Sequence, residues 1–143
     1  MPTYTAPVRD LQFVLHDVLG VGESTVPGYE DMDRETTEAI LDEAGKIAME
    51  VLQPINASGD EQGCVLENGV VRTPDGFGDA YNALKDGGWL SLDANPDFGG
   101  QGMPYVMETA AGELFASANI SMEIYKGLTH GAVSALNVHG SDD

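Results

Sequence analysis

Ten residues, Asn95–Pro104 (NPDFGGQGMP), bring three glycines, two prolines and a carboxylate together. That composition suits a phosphate cradle, a calcium loop or a tight structural turn. A dinucleotide loop needs G-x-G-x-x-G between a strand and a helix. Gly100-Gln101-Gly102 supplies the first half, but Tyr105 stands at the third glycine position and no strand–helix–strand pattern surrounds it. A P-loop needs Gly-Lys-Ser/Thr; Gly45-Lys46-Ile47 ends in the wrong residue inside a helical pattern. Asp93, Asn95 and Asp97 have the spacing of the first three EF-hand ligands, yet Phe98 stands where the sharp-turn glycine belongs and Pro104 where the bidentate glutamate belongs. The calcium reading thus fails at its two most demanding positions.

The other reactive side chains are scattered. His130 and His139 are nine residues apart, which puts them on opposite sides of one helix at about 100° per residue. With His16 on a separate N-terminal helix, no histidine has a Cys or His partner at chelating spacing. No G-x-S-x-G is present. Paired carboxylates abound, but 24 acids in 143 residues make any one pair uninformative. The single cysteine, Cys64, excludes an internal disulfide and a multi-cysteine metal site. Each histidine therefore reads as a surface or helix-end residue.

Against those 24 acids stand 6 basic residues, a formal net charge of −18. Nucleic acid and anionic lipid both require clustered Lys and Arg, so neither is an expected partner. No run approaches the roughly 18 apolar residues of a membrane span, and no basic-then-apolar leader opens the chain. A cytoplasmic location is the expectation. The sequons Asn56-Ala-Ser58 and Asn119-Ile-Ser121 then read as chance.

The elements that must position any site are mostly helical. Pro2 and Pro7 favour an extended start. Leu11, Val14, Leu15 and Val18 form an amphipathic stripe closed by Gly20 and Gly22, and residues 21–30 read as a linker. Asp33 is the expected N-cap of a longer helix carrying Ile40, Ala44, Ile47 and Val51, with Leu41, Ala48 and Leu52 beside them, ended by Pro54. NASGDEQG, 56–63, reads as a loop. CVLENGVVR reads as a hairpin turning at Asn68-Gly69. Phe77, Ala80, Tyr81 and Leu84 mark a short helix closed by Gly87-Gly88, followed by core residues Trp89, Leu90 and Leu92. Pro104 opens a helix to about Ala118, and Asn119 caps a last one to about His139. The expected fold is one mostly α domain of five helices and one small β-hairpin.

On the last helix Tyr125, Leu128, Ala132 and Leu136 form an apolar row expected to face the core. Gly127, Gly131 and Ser134 form a second row of small residues. Glycine inside a helix costs about 0.5–1 kcal/mol relative to alanine, so two of them four residues apart point to close approach. Either a neighbouring helix packs there, or a narrow channel admits a slender ligand such as an acyl chain.

GWLSLDANPDFGGQGMP and ELFASANISMEIYKGLTHGAVSALNVHGSDD together resemble the N-terminal helical domain of flavin-dependent acyl-CoA dehydrogenases. YTAPVRDLQFVLHDVLG is similar to the short N-terminal extension of the subgroup containing the 3-methylmercaptopropionyl-CoA dehydrogenases, and VLQPINASGDEQGC and VVRTPDGFGDAYNALKDGGW fit that subgroup too. The resemblance divides the chain into residues 1–30, an extension with a short amphipathic helix, and 31–143, the helical domain. It also implies that the Gly-Gly-Gln-Gly loop is a structural connection.

The implied reaction is α,β-dehydrogenation of an acyl-CoA thioester with FAD as electron acceptor. The last helix would border the acyl tail, making Ile124, Gly127, Leu128 and Gly131 the implied substrate-lining residues. Lys126 stands where the subgroup usually has proline, which puts the local helix geometry in question. Family members continue into a β-domain holding much of the flavin site and a C-terminal bundle carrying the catalytic base, so no catalytic or flavin-binding residue is assigned in this chain. FAD is not expected to bind it alone. Expected partners are acyl-CoA, the remaining dehydrogenase domains or subunits, and further copies of the chain through surface left exposed. The alternatives are a non-catalytic truncated relative that docks on other subunits or holds a hydrophobic ligand, and an inert remnant of a disrupted gene.

Overall fold

The computed structural model describes residues 3–141. Pro2 and the terminal acids Asp142 and Asp143 lie outside the described residues. Helix α1, Val8–Gln12, widens into a π-helical turn, Phe13–Val18, and stops at Gly20, whose φ of +64° suits glycine. Leu11 and Leu15 point into the core, while Val14 and Val18 face solvent. The wide turn breaks the simple i, i+3, i+4 stripe that the sequence suggests.

Helix α2, Arg34–Lys46, starts at Asp33, whose Oδ1 accepts the Thr36 N–H at 2.8 Å. Thr37, in its first turn, is fully buried and bonds the Gln12 amide and His16 Nε2 (2.8 Å), tying α1 to α2. Burial holds the His16 imidazole below its usual pKa, with Arg34 reinforcing the effect. The helical path runs on through Ile47–Leu52, and Leu41, Ala44, Ala48 and Leu52 make its fully buried row.

Pro54 does not end this run, contrary to the sequence reading. It sits in the first turn of a short 3-10 segment, Gln53–Ile55, where its missing N–H costs nothing. Residues 56–63, expected as a loop, instead form helix α3, Asn56–Gln62, closed by Gly63. Phe77 supplies the reason: a Cβ built on Gly59 would lie 2.5 Å from its ring, so the aromatic packs directly on the α3 backbone. Packing there overrides local helix-breaking chemistry.

Strands β1, Val65–Glu67, and β2, Val70–Arg72, pair antiparallel with Leu66 opposite Val71. Asn68 (φ +52°) and Gly69 (φ +78°) form the expected turn. Helix α4, Phe77–Asp86, buries Phe77, Ala80 and Leu84. Helix α5, Tyr105–Ala118, is the central element: Met107, Ala110, Ala111, Leu114, Phe115 and Ala118 are all buried, and its alanines let α2 pack closely. Helix α6, Ile120–His139, packs back on α5.

The fold is thus mostly helical with one two-stranded hairpin, as expected, and α3 is the addition. Among the described residues no helix is long and apolar enough to cross a membrane.

Candidate functional site

The glycine loop is a turn locked by its own backbone. The amides of Gly100, Gln101, Gly102 and Met103 donate to the carbonyls of Asn95, Ser91, Ala94 and Leu92 at 2.9–3.1 Å. Those N–H groups are spent and cannot cradle a phosphate. A Cβ on Gly100 would lie 2.1 Å from the Ala94 carbonyl oxygen, so only glycine fits. Gln101 reaches back to the Gly88 carbonyl at 2.9 Å. Asn95 caps the Asp97 N–H, and Asp93 turns to His130. The three would-be calcium ligands are therefore not convergent, and no cluster of three or more His, Cys, Asp or Glu side chains is placed to hold a metal ion among the described residues.

His130 is the best-connected histidine. Its Nδ1 lies 3.2 Å from Asp93 Oδ1, its Nε2 3.4 Å from Ser134 Oγ, and its ring stacks on Tyr105 at 5.4 Å. The order Asp–His–Ser has the connectivity of a nucleophile relay, but Ser134 sits mid-helix, where neighbouring amides are bonded within α6 and cannot form an oxyanion hole. The arrangement pins α6 to the loop before α5.

Asn119 and Lys126 set the rotation of α6. Asn119 is buried at the α5–α6 corner. Its Oδ1 accepts the Met122 N–H at 3.3 Å, and its Nδ2 donates to the Leu52 carbonyl at 3.2 Å. Lys126 is 1% exposed. Its ammonium pairs with Glu108 of α5, with Glu123 one turn back at 3.3 Å, and lies 5.9 Å from the Phe115 ring centroid. The buried stripe is therefore Asn119, Met122 and Lys126, continued by half-buried His130 and Val133.

This corrects the expected core face: Tyr125, Leu128, Ala132 and Leu136 all point outward, Leu128 at 72% and Leu136 at 68% exposed. Lys126 does not disturb the helix, which continues unbroken to His139. Sequence reasoning passed over Glu108 and the Lys126–Glu123 pair. Their signal was the three-residue spacing of opposite charges beside an apolar helix.

Ile124, Gly127, Leu128 and Gly131 share one face of α6, and that face is open. Ile124 is 57% exposed, and a Cβ added at Gly127 or Gly131 meets no atom within 4 Å. Among the described residues no helix packs against Gly127 or Gly131. In this chain Gly127→Leu and Gly131→Leu should each leave the melting temperature unchanged or raised, since leucine is a better helix former by up to about 1 kcal/mol. A closed face would instead lose about 1–3 kcal/mol to overpacking; thermal melts separate the two.

Near this face, Thr73, Phe77, Gly78, Tyr81, Met122 and Tyr125 line an apolar pocket of about 280 Å³ between α4 and α6. Burial raises the Tyr125 hydroxyl pKa, and Cys64 beside it adds to the effect.

The sequence model of the "Acyl-CoA dehydrogenase, N-terminal domain" family matches residues 34–143, and the chain belongs to that family. Among its relatives is the 3-methylmercaptopropionyl-CoA dehydrogenase of Ruegeria pomeroyi, 37% identical over 141 residues, which are 98% of this chain and 24% of that protein. The broad-specificity linear acyl-CoA dehydrogenase of Mycobacterium tuberculosis is 29% identical over 89% of the chain and 21% of its own length. The butyryl-CoA dehydrogenase of Syntrophomonas wolfei is 28% identical over 98% and 24% respectively. The chain thus spans about a quarter of the length of these relatives.

Proposed function

We propose that this chain forms the N-terminal part of a FAD-dependent acyl-CoA dehydrogenase and supplies one wall of its acyl pocket through Ile124, Gly127, Leu128 and Gly131. The observation that carries this reading is the outward face of α6, apolar and indented by two glycines with free space before them. Such a face suits a slender apolar chain: leucine and isoleucine exclude water from it, and the glycines give it room.

The described residues do not fit a complete flavin site. The glycine-loop amides are internally bonded. Five of the six basic residues are paired with carboxylates: Arg34 with Asp17, Lys46 with Glu43, Arg72 with Glu67, Lys85 with Asp86 and Lys126 with Glu108. That leaves no cationic cluster for a pyrophosphate. No step of the chemistry is assigned to this segment, and its role is to position and enclose the substrate's acyl group. It would act with the remaining dehydrogenase domains in the cytoplasm, and copies of the chain alone would self-associate through apolar surface left exposed.

Co-expression with a polypeptide comprising the later domains of a relative tests the reading. Acyl-CoA-dependent reduction of a dye should appear only when both parts are present. Gly127→Leu or Gly131→Leu should then narrow the pocket, lowering kcat/KM for long acyl chains by about tenfold or more while sparing short ones, as two or more excluded methylenes imply. Equal losses at all chain lengths would move the acyl tail away from α6.

A second reading, a module that holds a hydrophobic ligand, is favoured by the pocket between α4 and α6. Saturable binding of a fatty acid by the chain alone, abolished by Met122→Trp, would support it.

A further inference from the structure

We infer that the contact between α5 and α6 is a proton-held latch: in the folded chain the Glu108–Lys126–Glu123 cluster keeps one proton that the unfolded chain has released. The charges in the cluster do not balance. Two carboxyl groups, Glu108 from α5 and Glu123 from α6, face one ammonium. Lys126 is 1% exposed and Glu108 8%. Lys126 meets one oxygen of each carboxyl. The second oxygen of each, Oε2, is buried without a hydrogen-bond partner among the described residues. Neither Oε2 has accessible surface, so neither is open to an ion from solvent.

No other basic side chain supplies the missing positive charge. Arg34, Lys46, Arg72 and Lys85 pair with carboxylates elsewhere, and Arg9 lies on α1. His130, one turn beyond Lys126, sets its Nδ1 against Asp93 at 3.2 Å. Nor is there slack beside Glu123: a Cβ built on Gly112 of α5 would lie 3.0 Å from its Oε1. A proton needs no such room. On one carboxyl it leaves one ammonium against one carboxylate, and a buried neutral carboxyl costs far less than a second buried charge. Burial pushes the Glu123 carboxyl above its usual pKa, opposed by Lys126 and His130 and reinforced by Glu108. Two carboxyls on one ammonium titrate as a pair. The groups that face this pair are Lys126 and His130 on α6, Glu113 on α5, and Asp93 through His130.

Above about pH 4.3 the unfolded chain releases the proton while the fold keeps it. The native state then binds more protons than the unfolded one. This contribution to stability therefore falls as pH rises and is gone above the folded titration. Losing the proton strands a negative charge between the two helices. The grip of α5 on α6 loosens, and with it the rotation that turns Ile124 and Leu128 outward.

The test is carboxyl-carbon NMR of the 143-residue chain labelled in glutamate, titrated upward from about pH 4, with urea denaturation alongside. The expected result is one glutamate carboxyl titrating apart from and above the rest, and missing in Glu123→Gln. That substitution mimics the protonated form. As pH rises, the parent should therefore unfold more easily relative to Glu123→Gln. The difference is up to about tenfold in the unfolding constant for each pH unit across which only the fold holds the proton. Glu113→Gln, on exposed surface, should keep both the upper titration and the parent's slope. All glutamates titrating together in the parent would overturn the proposal. So would an upper titration that persists in Glu123→Gln or disappears in Glu113→Gln, or parallel pH profiles for the parent and Glu123→Gln.

Discussion

Lys126→Met is expected to cost about 3–5 kcal/mol of folding stability at pH 8, because removing one partner of a buried pair leaves uncompensated charge. Methionine fills nearly the same volume, so the loss is electrostatic. Glu108 and Glu123 would then share a buried site without a cation, each with an oxygen already unpartnered. A typical domain has only about 5–15 kcal/mol in total, so this one change could consume much of it. The pH dependence has a definite sign. Burial already raises the Glu123 carboxyl, and the variant removes the Lys126 charge that opposes the shift. Protonation therefore favours the fold: stability is retained below about pH 4.3 and lost as pH rises through the folded value. Urea denaturation should show the variant approaching the parent near pH 5 and falling away at pH 8. Adding Glu108→Gln and Glu123→Gln should restore most of the loss. A Lys126→Met chain within about 1 kcal/mol of the parent at pH 8, the ordinary worth of an exposed pair, would mean that the cluster is open to water.

That cluster also marks where sequence reasoning stops. Features governed by adjacent residues were legible: the Asp33 and Asn119 caps, the Asn68-Gly69 turn and the closure of α4 by Gly87 and Gly88. The four candidate pocket residues, Ile124, Gly127, Leu128 and Gly131, were implied by the family resemblance, and the structure puts them on one face of α6. Which face of α6 turns inward was not legible. Two rows had equal period, and the choice is made by Asn119 reaching Leu52, 67 residues away, and by Lys126 reaching Glu108, 18 residues away. An apolar row lost to a row containing lysine because a fully paired charge can occupy a core position that hydropathy assigns elsewhere. Residues 56–63 failed for a similar reason: Pro54 and Gly59 break helices locally, and the Phe77 ring seated on Gly59 decides otherwise. What covers Ile124 and Leu128 was implied by family resemblance alone, since nothing within the described residues packs there.

Phe115→Ala should be the costliest purely apolar change, about 3–5 kcal/mol. Phe115 has no exposed surface, sits on the central helix α5, and meets Trp89 edge to face with centroids 5.4 Å apart and planes at 84°. Truncation opens a cavity among elements held at several points, so the site cannot collapse freely. It also removes an aromatic pair worth about 0.5–1.5 kcal/mol beyond area and the ring beneath the Lys126 ammonium. Because the Lys126 ammonium lies 5.9 Å from the Phe115 ring centroid, their effects should not add: the double variant should deviate from the sum by about 0.5–3 kcal/mol. Trp89, the chain's one tryptophan and only 7% exposed, reports on the native state directly. Its emission should shift to the red in Phe115→Ala without denaturant, as water reaches the indole. Phe115→Leu, which keeps most of the volume, should lose less than half as much and leave the emission near its parent position. A loss below about 2 kcal/mol for the alanine variant, the lower end for large-to-small core changes, with unshifted emission would show that α5 and α4 close over the gap. The packing around Phe115 would then be adaptable, and the rigidity of the α5–α6 corner would rest on Asn119 and the Lys126 cluster alone.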